Sequence, residues 1–265
     1  TRNNVIEKSN ILLQLNLPDD SSLALIKEKK SLIGAFNSHK NNEKLKSLVN
    51  RNINIFSLEL LPRISRAQSM DILSSQANLA GYKAVIESFA NFRKAIPMMM
   101  TAAGTIPAAK VLVIGAGVSG LQAIATAKRL GSQVEAFDVR PIVKEQVESL
   151  GAKFIEVEST EDDGVGEGGY AKETSEDYKK KQSELMAIHL SKSDIVITTA
   201  LIPGRPAPKL ITDEMVNSMK PGSAIIDLAS ENGGNCTLTK PDEVINHNGV
   251  TIDGTSNIAS EMSID

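Results

Sequence analysis

Short apolar runs alternate with amphipathic stretches along nearly the whole chain. Residues 11–17 (ILLQLNL) read as a strand. Residues 21–27, after the turn signal PDD, read as a short helix, and residues 31–36 as a second strand. Residues 41–50 are amphipathic, with Leu45, Leu48 and Val49 expected on one buried face, and residues 53–58 form a third strand. The pattern then lengthens into one helix over residues 65–95, with Ser65 placed to accept a free amide as its N-cap. Beyond it come strands at 110–114, 133–138, 153–157, 194–198, 223–227 and 250–253. The helices between them fall at 118–130, 142–150, 175–192 and 212–219. Strands and helices that alternate over short links imply βαβ units and parallel sheets. The fold class is therefore α/β: two Rossmann-like lobes with doubly wound parallel sheets, joined by a long helix, with a cleft between them. The first lobe spans 1–70. Three strands make a thin sheet, so it reads as incomplete. The second lobe spans 71–258 and includes most of the bridging helix.

Composition narrows the possibilities. The chain has 265 residues, enough for two modest domains, and is 41% hydrophobic and 23% charged, an ordinary soluble balance. A net charge of -3 lacks the basic footprint of a nucleic-acid binder. One cysteine, Cys236, excludes an internal disulfide. With scattered histidines at 39, 189 and 247, it offers no metal-type spacing. The most apolar region, 95–127, is broken by Pro97, Pro107, Lys110 and glycines, so it does not read as a membrane span. The first ten residues lack the apolar core of a signal peptide. The chain opens on Thr1 and both ends lie inside structured-looking sequence, which reads as a segment of a longer chain.

The strongest motif is KVLVIGAGVSGLQAIATAKRLGSQVEAFDVR. Gly115, Gly117 and Gly120 form G-x-G-x-x-G directly after a strand and at the start of a helix. In such a motif the first glycine permits the tight turn, the second lets backbone approach a pyrophosphate, and the third lets helix pack on sheet. The helix N-terminus offers amides and partial positive charge to phosphate. Asp138 ends the next strand, 18 residues after Gly120, where a carboxylate accepts hydrogen bonds from the ribose of NAD(H) and opposes the extra phosphate of NADP(H). Arg140 follows two residues later and reads as outward-facing.

Gln68, Asp71, Ser74, Ser75 and Asn78 recur at helical spacing on the bridging helix, so they share one face. Two readings stand. The stripe is a solvated face, or it serves a nicotinamide carboxamide, for which Asp71 and Ser74 supply acceptor and donor. The run RISRAQSMDILSSQANLAGY, residues 63–82, resembles the NAD(H)-binding domain I of the proton-translocating nicotinamide nucleotide transhydrogenases. So do residues 198–211 (TTALIPGRPAPKLI) and 227–236 (DLASENGGNC). Alanine dehydrogenase shares the fold and is the rival reading.

The resemblance implies direct hydride transfer between NADH bound here and NADP+ held by a partner domain III, coupled to proton movement through a membrane domain II. It gives Arg63 a place near the nicotinamide and pyrophosphate, and Gln68 a reach toward the partner's NADP(H). Asp71 and Ser74 become the carboxamide-positioning pair. The cofactor residues are Gly115, Gly117, Val118, Gly120, Asp138, Val139, Arg140, Thr199, Ala200 and Leu201. Tyr170 matches the tyrosine of a loop that closes on nucleotide. The glycine-rich acidic stretch 159–174 around it also reads as an ordinary flexible loop. A homodimer, attachment to a bacterial cytoplasmic or mitochondrial-type inner membrane through the parent protein, and a return of the chain to the first lobe from residue 259 are implied in the same way. Hydride transfer between two nucleotides needs orientation and exclusion of water rather than a protein acid or base. No catalytic histidine is therefore required; the three histidines read as surface or packing residues and Cys236 as a small packed one. An alanine dehydrogenase would use a carboxylate in the turn at 230–234, where Glu231 stands, and a first-lobe histidine, for which no match is found. A third reading is an NAD-sensing module without catalysis.

Overall fold

The computed structural model describes residues 1–62, 64–157, 176–202 and 204–263. The chain divides into two compact units, Thr1–Ser75 and Gln76–Asp265. Both carry parallel strands with helices between them, the α/β architecture the alternating pattern implies.

The first unit runs α1 (Arg2–Lys8), β1 (Ile11–Leu13), α2 (Asp20–Leu25), β2 (Ser31–Gly34), α3 (Asn42–Asn50) and β3 (Asn54–Ser57). Its sheet has the order β1-β2-β3, all parallel. Leu12, Leu32 and Ile55 stand side by side on one face, where Leu32 packs with Ile6, Leu23, Leu45 and Leu48 of the three helices. On the opposite face Ile11, Leu13 and Phe56 are exposed. Val49, expected beside Leu45 and Leu48, is exposed instead: it sits one residue past Leu48, a 100° step that carries it off the buried stripe. Two cations close the helices. Lys30, itself buried, donates from Nζ to the Ile6 and Glu7 carbonyls at the end of α1 (2.8 and 2.6 Å), and Arg51 donates to the Leu23 and Ile26 carbonyls at the end of α2.

The long helix begins later than the spacing suggests. Ser65 opens a 3-10 segment, Ser65–Met70, and α4 runs Ile72–Asn91. Asp71 takes the capping position, its carboxylate accepting from the Ser74 amide (2.9 Å) and hydroxyl (2.7 Å). A carboxylate three residues before an apolar helix outcompetes the serine. As a result Gln68 lies on the 3-10 segment and only Ser74, Ser75 and Asn78 of the polar stripe are helical.

The second unit adds a hairpin that the sequence pattern does not announce, β4 (Met99–Thr101) and β5 (Gly104–Ile106). Then come β6 (Lys110–Ile114), α5 (Val118–Arg129), β7 (Gln133–Phe137), α6 (Lys144–Ser149), β8 (Lys153–Ile155), α7 (Glu176–Leu190), β9 (Ile195–Thr198), α8 (Asp213–Asn217), β10 (Ala224–Asp227), β11 (Val244–His247) and β12 (Val250–Asp253). The sheet order is β11-β12-β10-β9-β6-β7-β8, parallel except for β11. The interior strands are nearly all apolar because both faces are covered. Val111, Val113, Ile195 and Ile197 pack with Ala84 and Val85 of α4, Ala123 and Ile124 of α5 and Val147 of α6. Leu112, Ile114, Val196 and Ile225 face Met186 and Leu190 of α7 and Met215 and Val216 of α8. Lys83 of α4 pairs with Glu87 and, at 3.1 Å, with Glu261 of the C-terminal 3-10 turn. His247, expected in a turn, ends β11, where its Nε2 lies 2.9 Å from Asn217 Oδ1.

Helices α4 and α5 meet at Gly81, where a Cβ would lie 2.1 Å from the Ser119 carbonyl oxygen. Gly81→Ala is therefore expected to destabilise this unit by about 1–3 kcal/mol through overpacking. A thermal melt of the variant against the parent chain measures this, and an unchanged midpoint would contradict the close contact.

Candidate functional site

The chemistry-bearing residues of the second unit gather at the carboxyl ends of three adjacent strands. The chain leaves β6 toward β7 and β8 on one side and comes back through β9 on the other. The strand order therefore reverses between β6 and β9, and open α/β sheets bind ligands at such a point. Three bonds knit the ends together. The Gly115 amide donates to the Phe137 carbonyl (2.8 Å), the Thr199 amide to the Ile114 carbonyl (2.8 Å), and the Thr199 hydroxyl to the Gly115 carbonyl (3.0 Å).

Each fingerprint glycine has its own steric reason. Gly115 has φ +99°, in the left-handed region that other residues avoid. At Gly120 a Cβ would fall 1.8 Å from the Gly115 carbonyl oxygen, so only glycine lets α5 pack onto the turn. At Gly117 a Cβ would meet no protein atom within 4 Å. The protein leaves that space open, as a phosphate-binding turn requires. Gly117 caps α5 without a side-chain hydrogen bond, so no side chain competes with an anion at the helix start. Val118 and Leu201 flank the turn as exposed apolar side chains, and Thr199 and Ala200 are half-buried beside it.

Asp138, just past β7, is buried. Its Oδ2 accepts from the Ala116 amide within the glycine turn (2.7 Å) and from Arg140 Nη2 (2.9 Å). Its Oδ1 accepts from Arg140 Nε and from the Arg140 amide, both at 2.9 Å. Arg140 is therefore not outward-facing. The two-residue spacing lets the side chain fold back, and a planar guanidinium grips a carboxylate through two parallel bonds. Val139 between them is half-buried. Tyr178 of α7 lies close enough for the Asp138 charge to matter: burial first, then the charges of Asp138 and Glu156, push its phenol above the ordinary value.

Two residues to which the sequence patterns assign no role hold the β9 end in place. Asp227, at the end of β10, is 1% exposed and accepts five bonds: from the Thr198 and Thr239 hydroxyls and the Ala229, Asn235 and Cys236 amides, at 2.6–3.0 Å. Asn235, also fully buried, uses its carboxamide on both sides of Ala200. Oδ1 accepts the Ala200 amide (3.0 Å), while Nδ2 donates to the Ala200 carbonyl (2.9 Å) and to the Pro208 carbonyl. The available signal was a lone carboxylate ending the apolar strand SAIID, the position Asp138 holds on its own strand.

In the first unit, Gln68 and Asp71 line a depression of about 320 Å³ with Glu59, Pro62, Ile64 and Leu73. Gln68 is exposed, and Asp71 and Ser74 are half-buried. Ser74 spends its one hydroxyl proton on Asp71, so donating to a ligand oxygen would require that hydroxyl to turn. Arg63, Tyr170 and the glycine-rich stretch 159–174 lie outside the described residues. Glu231 is exposed on a 3-10 turn. Cys236 is buried in the core, where burial raises its thiol pKa. His39 is exposed, and His189 Nδ1 lies 2.6 Å from Glu135 Oε2, holding α7 to β7. Among the described residues no cluster of His, Cys, Asp or Glu is arranged for a metal ion, and no helix is long and apolar enough to cross a membrane.

A doubly wound sheet with a glycine turn at its switch point and an acid on the neighbouring strand defines a Rossmann-type dinucleotide fold. The chain belongs to the alanine dehydrogenase/PNT family: the model of that family's N-terminal domain matches residues 1–80 and that of its C-terminal domain residues 84–265. It is 57% identical over 244 residues to an NAD(P) transhydrogenase alpha subunit of Rhodospirillum rubrum, covering 92% of this chain and 64% of that protein. The transhydrogenase structure from Sinorhizobium meliloti superposes with a TM-score of 0.85 at 48% identity, covering 98% of this chain and 71% of that one. Alanine dehydrogenase 2 of Staphylococcus aureus is more distant, at 28% identity over 80% of this chain. The chain thus spans about two thirds of the length of its R. rubrum relative.

The Asp227 knot yields a stability prediction. Asp227→Ala strands several buried donors, and the expected loss is on the order of 3 kcal/mol. Urea unfolding of the variant measures it; a loss below about 1 kcal/mol would mean the donors find water or other partners.

Proposed function

We propose that this chain is the NAD(H)-binding component of an NAD(P) transhydrogenase. It would hold NADH for direct hydride transfer to NADP+ on a partner domain. The carrying observation is the open space at Gly117, framed by Gly115, Gly120, Asp138 and the Thr199–Ala200–Leu201 end of β9. The similarity to transhydrogenase alpha subunits favours this reading over alanine dehydrogenase, as does the surface position of Glu231.

When bound, the nicotinamide nucleotide supplies the hydride. The chain's own residues bind and orient. Backbone amides at the start of α5 would take the pyrophosphate, with Gly117 allowing close approach. The Asp138 carboxylate would accept from the adenosine ribose. Val118 and Leu201 offer apolar surface that excludes water, and Val139, Thr199 and Ala200 border the same turn. Asp71 and Ser74 are assigned to the nicotinamide carboxamide, and Gln68, exposed on its 3-10 segment, to the side facing the partner's nucleotide. Arg63 and Tyr170 carry the roles the family resemblance gives them. Orientation at near contact is the whole of the catalytic task, so no protein acid or base is invoked.

The partners proposed are an NADP(H)-binding domain III and a proton-translocating membrane domain II, so membrane association comes through the parent assembly. A homodimer is proposed on the apolar hairpin β4–β5, whose strand residues are all exposed, with Met98 and Met100 at 62% and 83%. Met100→Glu is expected to shift the chain from dimer to monomer in sedimentation velocity; an unchanged dimer would place the interface elsewhere.

The function is tested by stopped flow, mixing the chain and NADH with a purified NADP-binding transhydrogenase domain carrying an oxidised NADP+ analogue. Alanine with NAD+ is run in parallel. Rapid transfer between nucleotides without alanine oxidation is expected, whereas alanine-dependent NADH formation alone would move the chain to the amino-acid dehydrogenases. Gln68→Asn should leave NADH affinity within about twofold while slowing transfer at least tenfold, a barrier increase of about 1.4 kcal/mol. Asp138→Ala should weaken NADH binding itself. Equal loss of binding in both variants would remove the role given to Gln68.

A further inference from the structure

Taking the Gly115–Gly120 turn as the dinucleotide site proposed above, we infer that Arg140 is a specificity-determining residue held out of service by Asp138. Its guanidinium is suited to a 2′-phosphate but clamped by the very carboxylate that suits a 2′-hydroxyl. A carboxylate presents about four acceptor directions. All four at Asp138 are filled, by the Ala116 amide, the Arg140 amide and two guanidinium N–H groups. The pair is only slightly exposed, with side-chain values of 6% for Asp138 and 17% for Arg140.

The usual account of NAD selectivity is that the acid repels the 2′-phosphate. Here the acid carries a bidentate counter-ion, so much of that repulsion is already cancelled. Selectivity then rests on exchange chemistry. A ribose hydroxyl is a donor, and it can replace one N–H at the carboxylate while the others stay. A phosphate dianion has no such donor to offer. To reach the guanidinium it must pull Arg140 away and leave a buried carboxylate short of its cation, the costly way to break a buried pair. Remove the carboxylate and the logic inverts. Arg140 stays two residues beyond β7, now a planar fork of donors matched to phosphate oxygens. An acid that serves NAD and an arginine that serves NADP are the two known solutions at this strand end. This chain holds both, with one occupied by the other.

The test is fluorescence titration of NADH and NADPH into the chain and into Asp138→Ser, Arg140→Ala and the double variant, with circular dichroism to verify folding. The wild type is expected to bind NADH more tightly than NADPH. Asp138→Ser should weaken NADH and strengthen NADPH at least tenfold, and the double variant should lose that gain. Arg140→Ala alone should still reject NADPH. If the double variant binds NADPH as well as Asp138→Ser does, repulsion alone sets selectivity and the inference fails. It fails equally if folded Asp138→Ser gains nothing for NADPH. Should Asp138→Ser not fold, Asp138→Asn, which keeps an acceptor for the Ala116 amide, with and without Arg140→Ala, decides the same question in the same direction. A folded wild type that binds neither nucleotide overturns the dinucleotide reading and this assignment with it.

Discussion

The second unit depends on one close approach between backbones. The Gly115 carbonyl sits where any side chain at Gly120 would have to be, so strand, turn and helix are in contact without side chains between them. That proximity organises the neighbours. Thr199 reaches the same Gly115 carbonyl from β9, Phe137 takes the Gly115 amide from β7, and Asp138 takes the Ala116 amide. Three strand ends are thus registered to a turn of a few residues. A methyl group at Gly120 would disturb all of them together, because the turn has no slack to absorb it.

Two carboxylates end neighbouring parts of the sheet and are solved differently. Asp227 is surrounded by neutral donors from hydroxyls and amides and ties β9, β10 and the following loop into one piece. Asp138 is met by a cation as well as amides, so its partners can be exchanged one at a time. The first arrangement is a fixed support. The second has donors that a ligand could replace. Asn235 passes the rigidity of the Asp227 cluster on to Ala200, and Thr199 passes it to the glycine turn. The β9 end is therefore held from below by an element that touches no ligand in the proposed function.

What could be read from the sequence follows physical rules. The interior strands of the second unit, such as KVLVI and DIVIT, announce themselves because a sheet covered on both faces needs apolar residues at every position. The glycine spacing and Asp138 were legible because their reasons are local. The hairpin 99–106 was not, since an apolar run without alternation carries no strand signature. Nor was β11, a half-polar antiparallel edge whose existence depends on β12 beside it. α1 rests on a single buried apolar residue, Ile6. The helix start moved from Ser65 to Asp71 because two capping residues competed and only three-dimensional context chose between them. The inward turn of Arg140 and the reach of Asn235 are likewise tertiary facts, invisible to spacing.

Cys236 gives the molecule a property unrelated to catalysis. It is the single thiol of the chain, it is fully buried, and its backbone amide belongs to the Asp227 cluster. A thiol so placed, with its ionisation suppressed by burial, is closed to alkylating reagents until the surrounding segment opens. The rate at which a reagent finds it therefore clocks the opening of the support beneath the β9 end. Because no other cysteine competes, a reporter thiol placed anywhere on the surface would be labelled alone, so the native chain comes ready for site-specific spectroscopy.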